Sequence, residues 1–435
     1  MKPINVGLLG TGTVGGGTFK VLQRNSEEIS RRAGCTIRIA VVADKDVVRA
    51  KAVAGDAARV TEDAFEVVND PQVDVVVELI GGYTIAKELM LKAIANGKHV
   101  VTANKALLAL HGNEIFSAAR KQGVMVAFEA AVGGGIPIIK SLREGLSANR
   151  IEWIAGIING TSNFILSEMR AKGAAFADVL KEAQNKGYAE ADPTFDIEGV
   201  DAAHKLAIMA AIGFGIPVQF DKAYVEGISK LAQQDIRYAE ELGYRIKLLG
   251  IAKRKAAGFE LRVHPTLIPA RQLIANVEGV MNAILVKGDA VGQTMYYGAG
   301  AGAEPTASAG VADLVDVARA LTADPEHRVP HLAFQHDQLS NVPILPMGEV
   351  ETSYYLRLRV ADKAGVLADI TRILADQAIS IEALVQKPHD GEAYVDIILL
   401  THLTREKKID AAIRSIEALP VVSGKITRIR MEALQ

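Results

Sequence analysis

Up to about residue 130 the chain alternates short, unbroken apolar runs with longer amphipathic stretches. The runs "INVGLLG", "TIRIAVVAD", "VDVVVELIGG", "HVVTANK" and "VMVAFEA" are apolar at consecutive positions, as strands buried on both faces are. With helical stretches between them, they predict an α/β domain over residues 1–130. Its core would be a doubly wound parallel sheet of Rossmann type, completed by a helix near 305–325. From 131 to 325 strand-like pieces ("IEWIAGIING", "FELRVHPTLI") mix with helical ones ("FADVLKEAQNKG"), which predicts a separate α+β domain for substrate binding and dimerisation. The proline-bearing, weakly periodic stretch 326–351 reads as a linker. The tail, 352–435, changes pattern again. An alternating strand ("SYYLRLRVAD"), an amphipathic helix ("GVLADITRILADQ"), two strands ("ISIEALVQ", "EAYVDIILLTH"), a helix ("REKKIDAAIRSIEAL") and a last strand ("KITRIRME") give the ferredoxin-like order βαββαβ.

Composition narrows the classes. A chain of 435 residues exceeds the usual size of one hydrophobic core, so two or three domains are expected. Acids and bases nearly balance at a net charge of −2, with no basic tract and no zinc-type His/Cys spacing, so no nucleic-acid partner is expected. No run of about 18 apolar residues offers a membrane span, and the N-terminus lacks the pattern of a secretory signal; the expected location is the cytoplasm. The single cysteine, Cys35, has no histidine near it in sequence to activate it and reads as incidental.

Candidate chemistry begins at "GLLGTGTVGGG". Gly10, Gly12 and Gly15 satisfy GxGxxG between an apolar strand and a helix, the context in which such a turn meets a dinucleotide pyrophosphate. After the second strand, Asp44 would favour NAD by accepting from a ribose hydroxyl, or else simply cap the strand end. Lys45 would favour NADP by pairing with a 2′-phosphate. Lys105 falls just past the carboxyl end of a strand, where open α/β sheets bind ligands, although a lysine there is also compatible with plain solvation. A second glycine cluster, Gly133 to Gly135, leaves backbone groups for a ligand or ion. The densest polar block, "NKGYAEADPTFDIEGVDAAHKLAIMAA", carries Glu190, Asp192, Asp196 and Glu198 in a loop, then Asp201 and Lys205 four apart on a helix. That last pair reads either as a surface ion pair of about 0.2–0.5 kcal/mol, or as a partly desolvated lysine suited to proton donation.

Together, "GLLGTGTVGGG", "TANKALLA", "EAAVGGGIP", "GIINGTSNFIL", "GYAEADPTFDIEGVDAAHKLAI" and "YYGAGAGAEPTASA" resemble the homoserine dehydrogenase family, in order over the first 325 residues, and the tail resembles an ACT domain. The resemblance implies reversible reduction of L-aspartate 4-semialdehyde to L-homoserine by NADP(H) or NAD(H), in threonine, methionine and isoleucine biosynthesis. It implies that Lys105 and Lys205 are the catalytic lysines, and that Asp196 and Asp201 orient substrate and proton donor. Glu190 would bind the substrate ammonium, with Gly187, Tyr188 and Thr161 beside the substrate. Thr13, Val14, Thr102, Lys105 and Gly302 would join Gly10, Gly12, Gly15, Asp44 and Lys45 around the cofactor. A monovalent cation, usually sodium, would rest on Glu129, Val132, Gly134 and Ile136. The amide-rich Gly365 turn at a helix start makes threonine the expected effector, bound near Asp362, Gly365 and Val366, the alternative being a structural or dimerising tail; deleting residues from 350 onward is expected to leave an active, threonine-insensitive enzyme. A homodimer or homotetramer is implied. Two other readings compete. A semialdehyde dehydrogenase forming an acyl phosphate needs a cysteine in the middle domain, where none lies. A non-catalytic amino-acid sensor would have no reason to keep both lysines and the carboxylate block.

Overall fold

The computed structural model describes residues 3–321, 323–387 and 393–434. Its chain divides into two compact units: Met1–Gly160, Asp201–Ala223 and Val280–Val342 form the first, and Thr161–Val200, Tyr224–Gly279 and Pro343–Gln435 the second.

The first unit is built on six strands, β1 (Ile4–Leu9), β2 (Ile37–Ala43), β3 (Arg59–Thr61), β4 (Val75–Glu78), β5 (His99–Thr102) and β6 (Val126–Ala127), in the order β3-β2-β1-β4-β5-β6. Every pairing is parallel, so all six carboxyl ends lie on one edge. This is the expected Rossmann-type sheet. The apolar runs are buried on both faces: Val6, Leu8, Val75, Val77 and Val101 are nearly inaccessible. The helix Ala303–Ala320 packs on the helix Thr13–Arg24, where Gly17 is needed because a Cβ there would stand 2.5 Å from the Ala303 carbonyl oxygen. The same unit holds an antiparallel trio, Ile151–Ile157 against Met281–Gly288 against Gly292–Ala299, and the helix Val200–Phe214, buried from Asp201 onward.

Three details depart from the sequence reading. β3 is only three residues long, too short to register as an apolar run. The helix expected over "VGGGTFKVLQRNSEEIS" is two helices, Thr13–Arg24 and Ser26–Ala33, parted at Asn25, whose φ of −106° and ψ of 20° leave the helical region. The strand expected over "VMVAFEA" stops at Ala127, and Glu129–Ala131 forms a 3₁₀ turn because the Glu129 amide donates to Asp313 (2.8 Å) instead of to a strand.

In the second unit a long antiparallel hairpin, Tyr244–Lys255 and Gly258–Pro269, supports the tail. The tail follows the expected βαββαβ order: Glu351–Ala361, Val366–Asp376, Ile381–Gln386, Tyr394–Thr401, Glu406–Glu417 and Thr427–Met431. Glu392, the first residue of the expected strand "EAYVDIILLTH", lies outside the described residues. Leu356, Val360, Ile370, Leu374, Ile397, Ile409 and Ile416 form the tail's own core between sheet and helices. Its last strand also pairs in parallel with Gly258–Pro269, through Thr266 opposite Arg430. The tail sheet and the hairpin are therefore one continuous sheet.

Candidate active site

The chain leaves β1 through Gly10, whose φ of +91° excludes most other residues. A Cβ on Gly15 would overlap the Gly10 carbonyl oxygen, so strand and helix approach closely only because both positions are glycine. Gly12, the N-cap of Thr13–Arg24, has no side-chain cap, and a Cβ there would meet nothing within 4 Å. The turn thus presents open space and helix amide groups, a cradle suited to a pyrophosphate. Thr13, exposed, and Val14, half-buried, open that helix. Asp44 is tied to this turn: it accepts from the Thr11 amide (2.7 Å) and hydroxyl (2.6 Å) and from Arg49 (3.0 Å). Burial would raise its pKa, but those hydrogen bonds hold it down at about 2. Lys45 beside it is exposed. Arg49, half exposed, was not singled out from the sequence because it lies on the following helix, Val47–Ala54.

On the same edge, Asn104 caps the helix Lys105–Gln122 by accepting from the Leu107 amide (3.0 Å), which makes Lys105 its first residue. The Lys105 ammonium lies 3.2 Å from one oxygen of Asp201. The Lys205 ammonium lies 2.7 Å from the other, and donates to the Ile158 carbonyl (2.7 Å). Asn159 holds that same Asp201 oxygen at 2.9 Å. Lys205 and Asp201 are only 8 % and 4 % exposed, so the pair is not the solvated ion pair that spacing alone allowed. Burial disfavours the charge on Asp201, but Lys205 and Lys105 more than offset this, and its pKa falls well below the usual carboxylate range. Two ammonium groups share one carboxylate. His204 packs edge-on to Phe220 and is pushed down to about 4 by burial, so it stays neutral here. Thr102 is buried and donates to Glu78 (2.7 Å), whose pKa burial raises. Of the residues not singled out from the sequence, Glu78 carried a legible signal, an acid closing an apolar run. Ile158 and Asn159 fall inside the stretch "GIINGTSNFIL", but spacing gave neither a role, because their partners lie 47 and 42 positions away.

Glu129, Val132, Gly134 and Ile136 lie in one loop, with φ of +77° at Gly133 and +56° at Gly134. Both side-chain oxygens of Glu129 accept from backbone amides, of Ile139 and Lys140 (2.8 Å each). Burial raises the pKa of Glu129 and, more strongly, that of Asp313 beside it. Among the described residues no cluster of three His, Cys, Asp or Glu side chains is set to hold a metal. Gly302, at φ +120°, is the N-cap of Ala303–Ala320.

In the second unit, Thr161 donates to the Tyr188 carbonyl (2.7 Å) and to Asp196 (3.2 Å), and Ser162 to the Asp196 carbonyl (3.0 Å). Gly187, at φ +73°, turns the chain into this loop. Gln184 donates to the Glu190 carbonyl (3.1 Å), and Glu190 is exposed. In the tail, Gly365, at φ +93°, is the N-cap of Val366–Asp376, with Asp362 exposed and Val366 buried.

Known proteins agree with this architecture. Family models match in three blocks: "Homoserine dehydrogenase, NAD binding domain" over residues 10–129, "Homoserine dehydrogenase" over 137–315 and "ACT domain" over 354–421. A homoserine dehydrogenase of Pseudomonas aeruginosa is 64 % identical over 435 residues, 100 % of both chains. The crystal structure of a homoserine dehydrogenase from Thiobacillus denitrificans is 70 % identical with a TM-score of 0.96, covering 100 % of this chain and 99 % of that one. A hyperthermophilic archaeal homoserine dehydrogenase in complex with NADPH is 25 % identical with a TM-score of 0.63, covering 73 % of this chain and 98 % of that one. With identity of this degree along the full length and the three models matching in order, the chain belongs to the homoserine dehydrogenase family.

Proposed function

We propose that this chain interconverts L-aspartate 4-semialdehyde and L-homoserine with NADP(H) as the preferred cofactor, and that threonine inhibits it through the C-terminal domain. The observation that carries the catalytic reading is the buried cluster in which Lys105 and Lys205 share Asp201. When bound, the nicotinamide supplies a hydride to the aldehyde carbon or takes one back from the alcohol carbon. Negative charge then grows on the carbonyl oxygen, and the ammonium groups beside it stabilise that oxygen. Lys205 gives it a proton through Nζ. Asp201 keeps Lys205 oriented and cationic until then, and the Ile158 carbonyl fixes its direction. Lys105 adds a second positive charge. Glu190 complements the substrate ammonium, while Asp196, held by Thr161, orders the loop.

NADP is favoured by two exposed cations, Lys45 and Arg49, where the adenosine ribose of a bound dinucleotide lies in this fold. A monovalent cation on the loop from Glu129 to Ile136, and assembly into a homodimer or homotetramer, complete the proposal. The test is the absorbance of NADPH and of NADH with homoserine and with the semialdehyde. Turnover preferring NADP(H) is expected; no turnover with either would leave the amino-acid sensor as the surviving reading.

A further inference from the structure

The last tail strand carries a fully buried arginine between two carboxylates. Arg430 donates through Nε to Glu406 (2.9 Å), the first residue of the tail helix Glu406–Glu417, which Tyr354 also engages (2.7 Å). Its other end donates to Glu226 (2.8 Å) and to the Tyr224 hydroxyl (3.0 Å), and Tyr224 donates to the same Glu226 oxygen (2.7 Å). A guanidinium fork holding two carboxylates in fixed directions transmits a shift of one to the other.

Directly beyond Glu226 the backbone runs against the loop that carries Asp196. A Cβ on Gly227 would stand 2.5 Å from the Ile197 carbonyl oxygen, so the two backbones touch. The Ile228 amide donates to that oxygen (2.8 Å). Ile197 is the neighbour of Asp196, the residue held by Thr161 and Ser162. An unbroken run of bonds and backbone contacts thus joins Glu406 of the tail to Asp196.

We propose that the Arg430–Glu226 pair positions the Asp196 loop, and that it is the link through which an effector on the tail alters substrate affinity rather than cofactor affinity. The proposal rests on the proposed function, in which this loop meets the amino-acid substrate and the tail binds threonine. Coupling of this kind requires an element whose arrangement both sites bias, and in this proposal that role falls to the shared arginine.

Glu226→Gln in the full-length chain tests it, since Glu226 is at the rim of the network and the glutamine keeps its shape. The expected results are faster amide exchange in the peptide spanning 193–199, a homoserine KM raised about fivefold or more, and kcat and the NADP KM within about twofold of the parent. Threonine should still bind by calorimetry but inhibit less. Glu226→Asp should recover part of the parent KM. Unchanged exchange, unchanged homoserine KM or undiminished inhibition would each overturn the proposal. Failure of threonine to bind the parent chain would instead remove the effector reading, while exchange and KM still decide whether the pair positions the loop.

Discussion

At the scale of single residues, the proposed chemistry turns on Asp201, which lies against two lysines at once. Lys205→Ala should lower kcat by about 10²-fold or more, with little change in cofactor affinity, as steady-state kinetics would show. Asp201→Asn leaves two ammonium groups around a neutral amide. Removing one partner of a buried ion pair costs about 3–5 kcal/mol, so denaturant unfolding should report a loss of that order along with the loss of rate. Arg49→Ala should raise the KM for NADP more than that for NAD, because it removes a cation suited to a 2′-phosphate, although Arg49 also reaches the glycine turn through Asp44 and the Thr11 hydroxyl. An equal effect on both would show that Arg49 acts only through Asp44 and Thr11.

At the scale of elements, the glycine turn separates folding from binding. Gly12 faces open space at a φ of −62°, so Gly12→Ala should leave thermal stability nearly unchanged while weakening cofactor binding, by occupying the space a ligand needs. Gly15→Ala should do both kinds of damage. Its Cβ overlaps the Gly10 carbonyl, and relief of such overpacking costs about 1–3 kcal/mol. Calorimetric melting with and without NADP distinguishes the two variants. A Gly12→Ala protein that bound cofactor normally would count against the turn as the phosphate site.

At the scale of the whole molecule, buried histidines set the response to pH. Burial holds the pKa of His99, His204 and His331 down at about 4 each. His99 and His331 moreover accept from the Met125 and Val126 amides through ring nitrogens that must stay unprotonated. The unfolded chain binds protons on these residues near pH 6.5 and the folded chain only near 4, so the stability these three histidines contribute is full above about 6.5 and is lost as the pH drops toward 4. Melting temperature should decline across that window. The continuous sheet, for its part, changes what truncation is expected to do. Removing residues from 350 onward would delete a strand of the hairpin's sheet and strip Arg262, 1 % exposed, of its partner Glu432. Such a truncation should lose stability as well as threonine response, and urea unfolding of the truncated chain against the parent would measure it.

The sequence by itself determined the elements and their order. Unbroken apolar runs, glycines at the strand-to-helix turn and the alternating tail are local signals, set by burial on two faces, by backbone reach and by the period of the strand. Two of the departures were local as well, a three-residue strand without enough apolar length and a helix broken at Asn25; the third, the strand that stops at Ala127, depends on Asp313, 184 positions away. Spacing also put Asp201 and Lys205 on one helix face. It did not bring Lys105 to the same carboxylate from 96 positions away, supply Asn159, or seat Arg430 against Glu226. Those meetings were decided by the tertiary structure, because a contact between distant positions depends on how sheets and helices stack, and a buried charge shows its partner only once the chain has closed around it.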